Sequence, residues 1–361
     1  MELMDMLLTQ AAPNTPSIKT IRDVDAFLNQ FLVPHLPWSL PLLERCQFHR
    51  KHKQSAPNAE IWFAATSEAQ SHSESTWIAT YIDLTNSGET QIWIFASWES
   101  EFSTRANPRL AIQESPKFPI YQQLIEALFR HLKQNHIPNL SHNPPPQWLR
   151  LKAEGKIVSE PFSRSKVLFG TIAECNWPFL DEYERKDPNS AISRADRSYL
   201  KYIVSSKPDS LPPRNIPETL HFAPMQDRHL QTIVDRTNIP RTLETLKQLP
   251  NVGIFDRANT PVAWGLLGKD GSLSSLHTEP EYRRRGLAAL VARRLIAAQT
   301  SLFDEAPRNH ETSKDTTILP QTIYSHADVS DKNVASQKVM ENVGGKAMWR
   351  TAWIEIDIGE T

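Results

Sequence analysis

This chain predicts an α/β protein of the α+β kind, built as two related mixed-sheet domains. Three observations carry that prediction. Ser272 to Thr300 reads as a strand, a tight basic turn and a helix. Residues 218–361 read β-α-α-β-β-β-α-β-α-β. Residues 1–204 repeat a similar order of helices, hairpin, strand and helix, and the Pro- and Ser-rich stretch 205–217 separates the two as a linker. A length of 361 residues suits two domains.

In the first domain, residues 1–20 are weakly patterned. Ile21 to Leu32 has Val24, Phe27, Leu28 and Phe31 on one side and predicts an amphipathic helix. Prolines 34, 37 and 41 punctuate the chain before a second helix, Leu42 to Lys51. Strands follow at Ile61–Thr66, Trp77–Leu84 and Thr90–Trp98, the last two joined by Asn86-Ser87-Gly88 as a hairpin. Trp62, Trp77, Trp93 and Trp98 in these strands are expected in the core. A helix from Ile120 to Gln134 buries Tyr121, Leu124, Ile125, Leu128, Phe129 and Leu132. Val167–Ile172 then reads as a strand, Trp177–Arg185 as a helix, and Ser193–Val204 as a helix crossing between halves. Cys46, His49 and His52 have metal-ligating side chains at a spacing that is not a zinc pattern, and are expected on an exposed polar helix face.

In the second domain, Leu220–Met225 is strand-like and Asp227–Thr237 helical. Pro240–Leu249 is expected to form a helix with Pro240 at its start. Val252–Asp256, Val262–Leu267 and Ser272–Thr278 are strands, with Asp270-Gly271 turning into the third. The polar stretch Ser301–Leu319 reads as a surface insertion. Ile323–Val329 resumes as a strand, a helix opens at Asp331–Ser336, Gly344-Gly345 ends it, and Ala347–Ile356 closes the sheet.

Composition excludes several functions. Hydrophobic residues make up 39% and charged residues 22%, with a formal net charge of −1. Such a balance offers no broad field for nucleic acid or an anionic membrane. No apolar run approaches the ~20 residues that span a bilayer. Two cysteines exclude a disulfide scaffold and suit a reducing compartment. With acidic Glu2 and Asp5 and no basic run at the N-terminus, a targeting peptide is not expected and a cytoplasmic setting is.

The basic turn is where function concentrates. Arg283, Arg284, Arg285 and Gly286 precede a helix whose apolar face is Leu287, Leu290, Val291 and Leu295. A helix N-terminus presents unpaired N–H groups and a positive dipole end. Gly286 admits close backbone approach, Ala288 keeps the first turn narrow, and three arginines add charge. The stretch suits a diphosphate.

Arg283-x-x-Gly286-x-Ala288, after a strand and before a helix, resembles the R/Q-x-x-G-x-G/A pyrophosphate loop of the GNAT acyltransferase superfamily. The string PVAWGLLGKDGSLSSLHTEPEYRRRGL resembles its glycine N-acyltransferase-like, or FR47-like, branch. The resemblance implies that the turn, Arg283 to Ala288 with Leu287, holds the diphosphate of acetyl-CoA or another acyl-CoA. The preceding strand, at Leu276, His277 and Thr278, would pair with the pantetheine arm, and no metal is implied. Asn333-x-x-Ser336, followed by Met340 and Gly344, resembles a second family motif whose asparagine and serine lie near the cofactor. Helix capping explains Asn333 and Ser336 equally well. The first domain has SWESEFSTRANPRL in place of the loop, and is expected to cover substrate rather than hold CoA.

Acyl transfer to an amine needs a proton acceptor, an oxyanion donor and an acid for the thiolate. The backbone around Leu276–Thr278 can donate to the oxyanion if strands Ser272–Thr278 and Ile323–Val329 splay apart, as the resemblance implies. The family's tyrosine falls at Met340, and the branch's glutamate falls at Ser272. His277 is the best local substitute base, with Tyr324 and His326 behind it. A structural histidine is an equal reading. The resulting expectation is a small-amine or amino-acid N-acyltransferase; the alternative is an acyl-CoA-binding module that has lost catalysis.

Overall fold

The structure, a computed structural model, describes residues 16–66, 75–157, 160–187, 190–206, 216–237, 239–303 and 323–360. Residues 1–15, 207–215 and 304–322 lie outside the described residues, and with them most of the expected linker (205–217) and insertion (301–319); residues 205–206 end β6 and 301–303 end α10 instead, because strand pairing and helical hydrogen bonding continue through them.

The first half runs β1 (Lys19–Thr20), α1 (Val24–Phe27), α2 (Leu40–Lys51), β2 (Glu60–Ala65), β3 (Trp77–Ile82), β4 (Ile92–Ala96), α3 (Glu99–Phe102), α4 (Pro108–Gln113), α5 (Phe118–Asn135), α6 (Pro146–Ala153), β5 (Lys166–Ala173), α7 (Trp177–Lys186) and β6 (Ala191–Ser206). The second half runs β7 (His221–Ala223), α8 (Asp227–Arg236), α9 (Leu243–Gln248), β8 (Asn251–Phe255), β9 (Pro261–Leu267), β10 (Leu273–Thr278), α10 (Leu287–Phe303), β11 (Ile323–Ser330), α11 (Val334–Asn342) and β12 (Gly345–Asp357). Among the described residues no helix is long and apolar enough to cross a membrane.

The described strands form two sheets. The larger has the order β1-β2-β3-β4-β5-β12-β6-β11, and the smaller β10-β9-β8-β7. All neighbours are antiparallel except β4 and β5, which pair in parallel at Ile92–Phe169 and Trp93–Gly170. The halves exchange strands. β12, from the end of the chain, lies between β5 and β6. β6, from the first half, lies between β12 and β11.

Periodicity explains most elements. The expected stripe of α5 is buried, and so are Leu287, Val291 and Leu295 of α10. Each such side chain contributes about 1.5–3 kcal/mol relative to exposure. Trp62, Trp77 and Trp93 are buried in strands, and Trp98, just past the end of β4, is buried too. The cores exchange residues as the sheets do. Ile354, Ile356 and Ile358 join the first core, while Tyr202 and Val204 join the second.

Three expectations need correction. Ser193–Val204 is not a helix but most of strand β6. Leu200, Ile203 and Val204 mimic a helical stripe, yet ladders on both edges hold the segment extended, so tertiary pairing overrides local pattern. The helix expected from Pro240 begins later, at Leu243. Thr242 caps it, with Oγ1 accepting the Thr245 N–H at 3.1 Å. The Cys46/His49 face of α2 is buried, not exposed, because α2 packs between the halves. The short helices α3, α4 and α6 carry too little apolar periodicity to be read from sequence.

Candidate active site

The basic turn begins where β10 ends. A short 3-10 turn, Pro280–Tyr282, leads to Arg283, and α10 starts at Leu287. Arg284 (φ 61°) and Gly286 (φ 76°) both take left-handed backbone. A Cβ at Gly286 would meet nothing within 4 Å, so the concavity above it is open. Arg283 Nε donates to Thr278 O at 3.0 Å, tying the turn to the strand end. Arg285 donates to Glu281 O at 2.9 Å and lies 5.1 Å from the Tyr282 ring. Arg283 to Gly286 are exposed. The first N–H groups of α10 lack intrahelical partners, so the turn offers backbone donors and guanidinium charge to one anion.

β10 and β11 do not pair. They belong to different sheets, and a cavity of about 430 Å³ runs through the gap. β10 carries a bulge there. Ser274 faces Leu266 and His277 faces Trp264, so Ser275 and Leu276 together oppose Gly265. Ser275 has φ 50°. A bulge leaves one residue outside the regular ladder. Gly265 makes room for this strand: a Cβ there would lie 3.0 Å from Leu276, Val291 and Leu295 atoms.

On one side of the gap the cavity meets Asn333, Ser336 and Met340. Asn333 caps α11, its Oδ1 accepting the Ser336 N–H at 3.1 Å. On the other side it widens into a chamber between the halves. Trp93, Tyr199 and Trp353 come from the first-half hairpin and the exchanged strands, and Trp264 from β9. Arg194, Arg241 and Lys269 bring positive charge to the chamber, while Glu89, Asp270 and Asp328 bring negative charge. Lys269 lies 3.8 Å from Glu89, and burial holds its ammonium below the usual lysine value, with Glu89 opposing.

His277 lines this cavity. Its ring stacks on Trp264 with centroids 4.6 Å apart. Its Nε2 is 3.5 Å from Glu279 Oε2 and makes no hydrogen bond. Burial lowers its pKa below the ordinary histidine value; Glu279 opposes that, and Arg283 and Arg236 reinforce it. The imidazole is therefore neutral near pH 7, the form that accepts a proton. Tyr324 is not brought to the cavity; it packs against the first core. His326 is fully buried and structural in its contacts, with Nδ1 3.2 Å from Lys201 Nζ and Nε2 donating to Asp270 O at 2.7 Å. The Arg283–Ala288 turn lies beyond the cavity lining, past the C-terminal end of β10.

The site contains residues that sequence reasoning passed over. Asp270 was read only as a turn residue. Its Oδ1 accepts from Ser272 N and Oγ at 3.2 and 2.6 Å, and its Oδ2 accepts from Trp93 Nε1 at 3.3 Å. Burial alone would push its carboxyl up, but His326, Lys201 and the Ser272 hydrogen bonds outweigh that and hold it below the usual value. A carboxylate thus stands hydrogen-bonded to Ser272, and both residues line the cavity. Asp328 pairs with Lys201 at 2.6 Å. The available signal was a single acidic residue, Asp328, in the strand Ile323–Ser330.

A family model described as the acyl-CoA N-acyltransferase verG N-terminal domain matches residues 16–202. One described as FR47-like protein matches residues 251–301. No curated protein matches the sequence. A solved Drosophila protein superposes with a TM-score of 0.58 at 13% identity, covering 94% of this chain and 98% of its own. A tandem GNAT protein from the clavulanic acid biosynthesis pathway has a TM-score of 0.46 at 8% identity, covering 96% of this chain and 99% of its own. An acetyltransferase of the GNAT family from Colwellia psychrerythraea has a TM-score of 0.36 at 14% identity, covering 94% and 99%.

Proposed function

Because the chain belongs to the GNAT superfamily and carries the verG-type acyl-CoA N-acyltransferase N-terminal domain at residues 16–202, we propose that it moves an acyl group from acyl-CoA to the amine of a small molecule or amino acid. Residues 218–361 are the catalytic unit, 1–206 the cover that closes the acceptor chamber, and 207–217 the linker. The observation that carries the reading is the unpaired gap between β10 and β11, bulged at Ser275 and ending at the open basic turn.

In this reading the diphosphate sits on the amides of Gly286, Leu287 and Ala288 within reach of Arg283, Arg284 and Arg285. The pantetheine arm enters the gap along Leu276–Thr278, past Asn333 and Ser336. A bulge N–H donates to the carbonyl oxygen as it gains charge, a contribution of about 10²–10³ in rate. The amine nitrogen attacks the carbonyl carbon, its proton passes to neutral His277, and the C–S bond breaks to release CoA thiolate, which then takes up a proton. Arg194 and Arg241 suit an acceptor carboxylate, and Trp93 and Trp264 a flat or apolar side chain. Both cysteines are free and buried, which suits a cytoplasmic setting. A near-neutral chain gives no reason to add nucleic acid or a membrane as partner.

The second reading, an acyl-CoA-binding module without turnover, is favoured by Met340, which lines the cavity where the family has a tyrosine and cannot donate a proton. Thiol release from acetyl-CoA and longer acyl-CoAs, followed with a panel of amines, separates the two. Amine-dependent release supports transfer. Acyl-CoA binding without release supports the module.

A further inference from the structure

The acyltransferase reading leaves open what holds the acceptor's nitrogen, and the gap between the sheets contains a built polar group for that task. Asp328 lies on β11 and lines the cavity, while its side chain is 5% exposed. Directly across the ladder stands Lys201 of β6. Lys201 is fully buried, and its Nζ is 2.6 Å from Asp328 Oδ2. Thr351 Oγ1 of β12 donates to the other oxygen, Oδ1, at 2.8 Å. The carboxylate is therefore fixed from two sides by strands that the halves exchange.

The pair is itself held. Lys201 Nζ donates to His326 Nδ1 at 3.2 Å, and His326 Nε2 donates to Asp270 O at 2.7 Å. That arrangement keeps the proton of His326 on Nε2. Behind it lies Glu44 of α2, with Oε2 3.4 Å from Nε2 and Oε1 accepting from Gln299 Nε2. Burial raises the Glu44 carboxyl above its usual value, with the contacts to His326 and Gln299 opposing it.

A carboxylate offers about four acceptor positions. Lys201 and Thr351 occupy two on Asp328, leaving capacity on a residue that borders the cavity opposite the β10 bulge. An amine that attacks the thioester must point its lone pair at the carbonyl while its N–H bonds point away. A carboxylate fixed on the opposing strand accepts one of those N–H bonds and sets that direction. Locked to a buried ammonium, it is better suited to orienting the amine than to removing its proton, which leaves that step to His277.

We propose that Asp328 is the anchor for the acceptor's primary amine, and that Lys201 and Thr351 are positioning residues that hold its carboxylate at the gap. The first half then shapes the acceptor site from within, through β6.

The test uses the full chain. Acyl-CoA binding and amine binding are measured by calorimetry, the amine into CoA-saturated protein, with glycine, phenylalanine and phenethylamine as probes. Asp328→Asn alone leaves Lys201 as an unpaired buried charge and can unfold the protein, so the double variant Asp328→Asn/Lys201→Met removes both charges together. The expected result is CoA affinity within about twofold of wild type and amine affinity lower by about 10- to 100-fold, as loss of a charge-assisted hydrogen bond implies. Steady-state kinetics should show the same split, with KM for the amine raised and KM for acyl-CoA unchanged. Unchanged amine affinity in the folded double variant overturns the proposal. So does a fall in kcat with amine KM unchanged, which would make Asp328 a group of the chemical step. Wild type that binds CoA but none of the amines also overturns it. If wild type binds no CoA at all, the acyltransferase reading itself fails and the anchor falls with it.

Discussion

The two halves end their fourth strand differently, and the difference bears on the roles proposed for them. After β10 the chain leaves an open turn, with left-handed Arg284 and Gly286, three exposed arginines and free helix N–H groups. After β4 the same place is filled from within. Glu99 is buried, and its Oε1 accepts from the Ala96 N–H at 3.0 Å and from Asn176 Nδ2 at 2.8 Å. Asn176 Oδ1 in turn accepts from Trp98 Nε1 at 2.8 Å. The first half thus supplies its own carboxyl where the second leaves room for a foreign anion. The gaps differ in the same way. β4 and β5 still pair at two positions and β12 flanks β5, whereas β10 and β11 do not pair at all. One scaffold, opened once and closed once, fits the proposed division into a ligand-binding half and a supporting half.

The strongest way to break this contrast is to close the open turn. Arg283→Ala with Gly286→Glu removes a guanidinium, forces a side chain into φ 76° and adds negative charge. Calorimetry should show acyl-CoA affinity reduced by at least about 100-fold. Binding at wild-type strength would move the diphosphate off this turn.

The next test concerns chemistry in the open half. His277→Gln should lower kcat by about 10² or more while acyl-CoA still binds. The folded pKa of His277 lies below 6.5, so the base stays unprotonated to lower pH than an ordinary histidine. In wild type, kcat/KM should therefore hold through the usual histidine range and fall only at lower pH. A variant that keeps both rate and acid limb removes His277 from the reaction.

The closed half should respond in stability, not in binding. Burial pushes the Glu99 carboxyl up to about 8, against hydrogen bonds from Ala96 and Asn176 and the charge of Lys201. The folded pKa thus exceeds the reference value of 4.5. Between those values the folded protein holds a proton that the unfolded chain has released, so stability falls as pH rises through the window. Glu99→Gln keeps an acceptor and removes the titration. Its Tm relative to wild type should climb between about pH 5 and about pH 8, to a gain on the order of a few kcal/mol, with acyl-CoA affinity unchanged. A flat difference would mean Glu99 titrates normally.

The smallest expected effect is at Asn333, whose Oδ1 caps α11. Asn333→Ala should cost about 1 kcal/mol in chemical denaturation. If capping is its whole role, acyl-CoA affinity stays the same; a drop in affinity would add a ligand contact on the α11 side of the gap.

Legibility followed sequence distance. The strands, α5, α10 and the turn Arg283–Ala288 were readable because each depends on neighbours within a few residues: an apolar period, a glycine before a helix, a run of arginines. The same locality misled at Ser193–Val204, where a helix-like stripe lies in a strand held on both edges by β11 and β12. It misled again at α2, whose polar residues are enclosed only because the halves meet there.

By itself the sequence determined most elements of the second half and the basic turn Arg283–Ala288, since both rest on local backbone preference and charge. The tertiary structure alone decided the strand exchange and the chamber between the halves. Lys201 reaches Asp328 across 127 residues and Trp93 reaches Asp270 across 177. No local pattern encodes such pairs, because register between distant strands is set by which buried faces fit together.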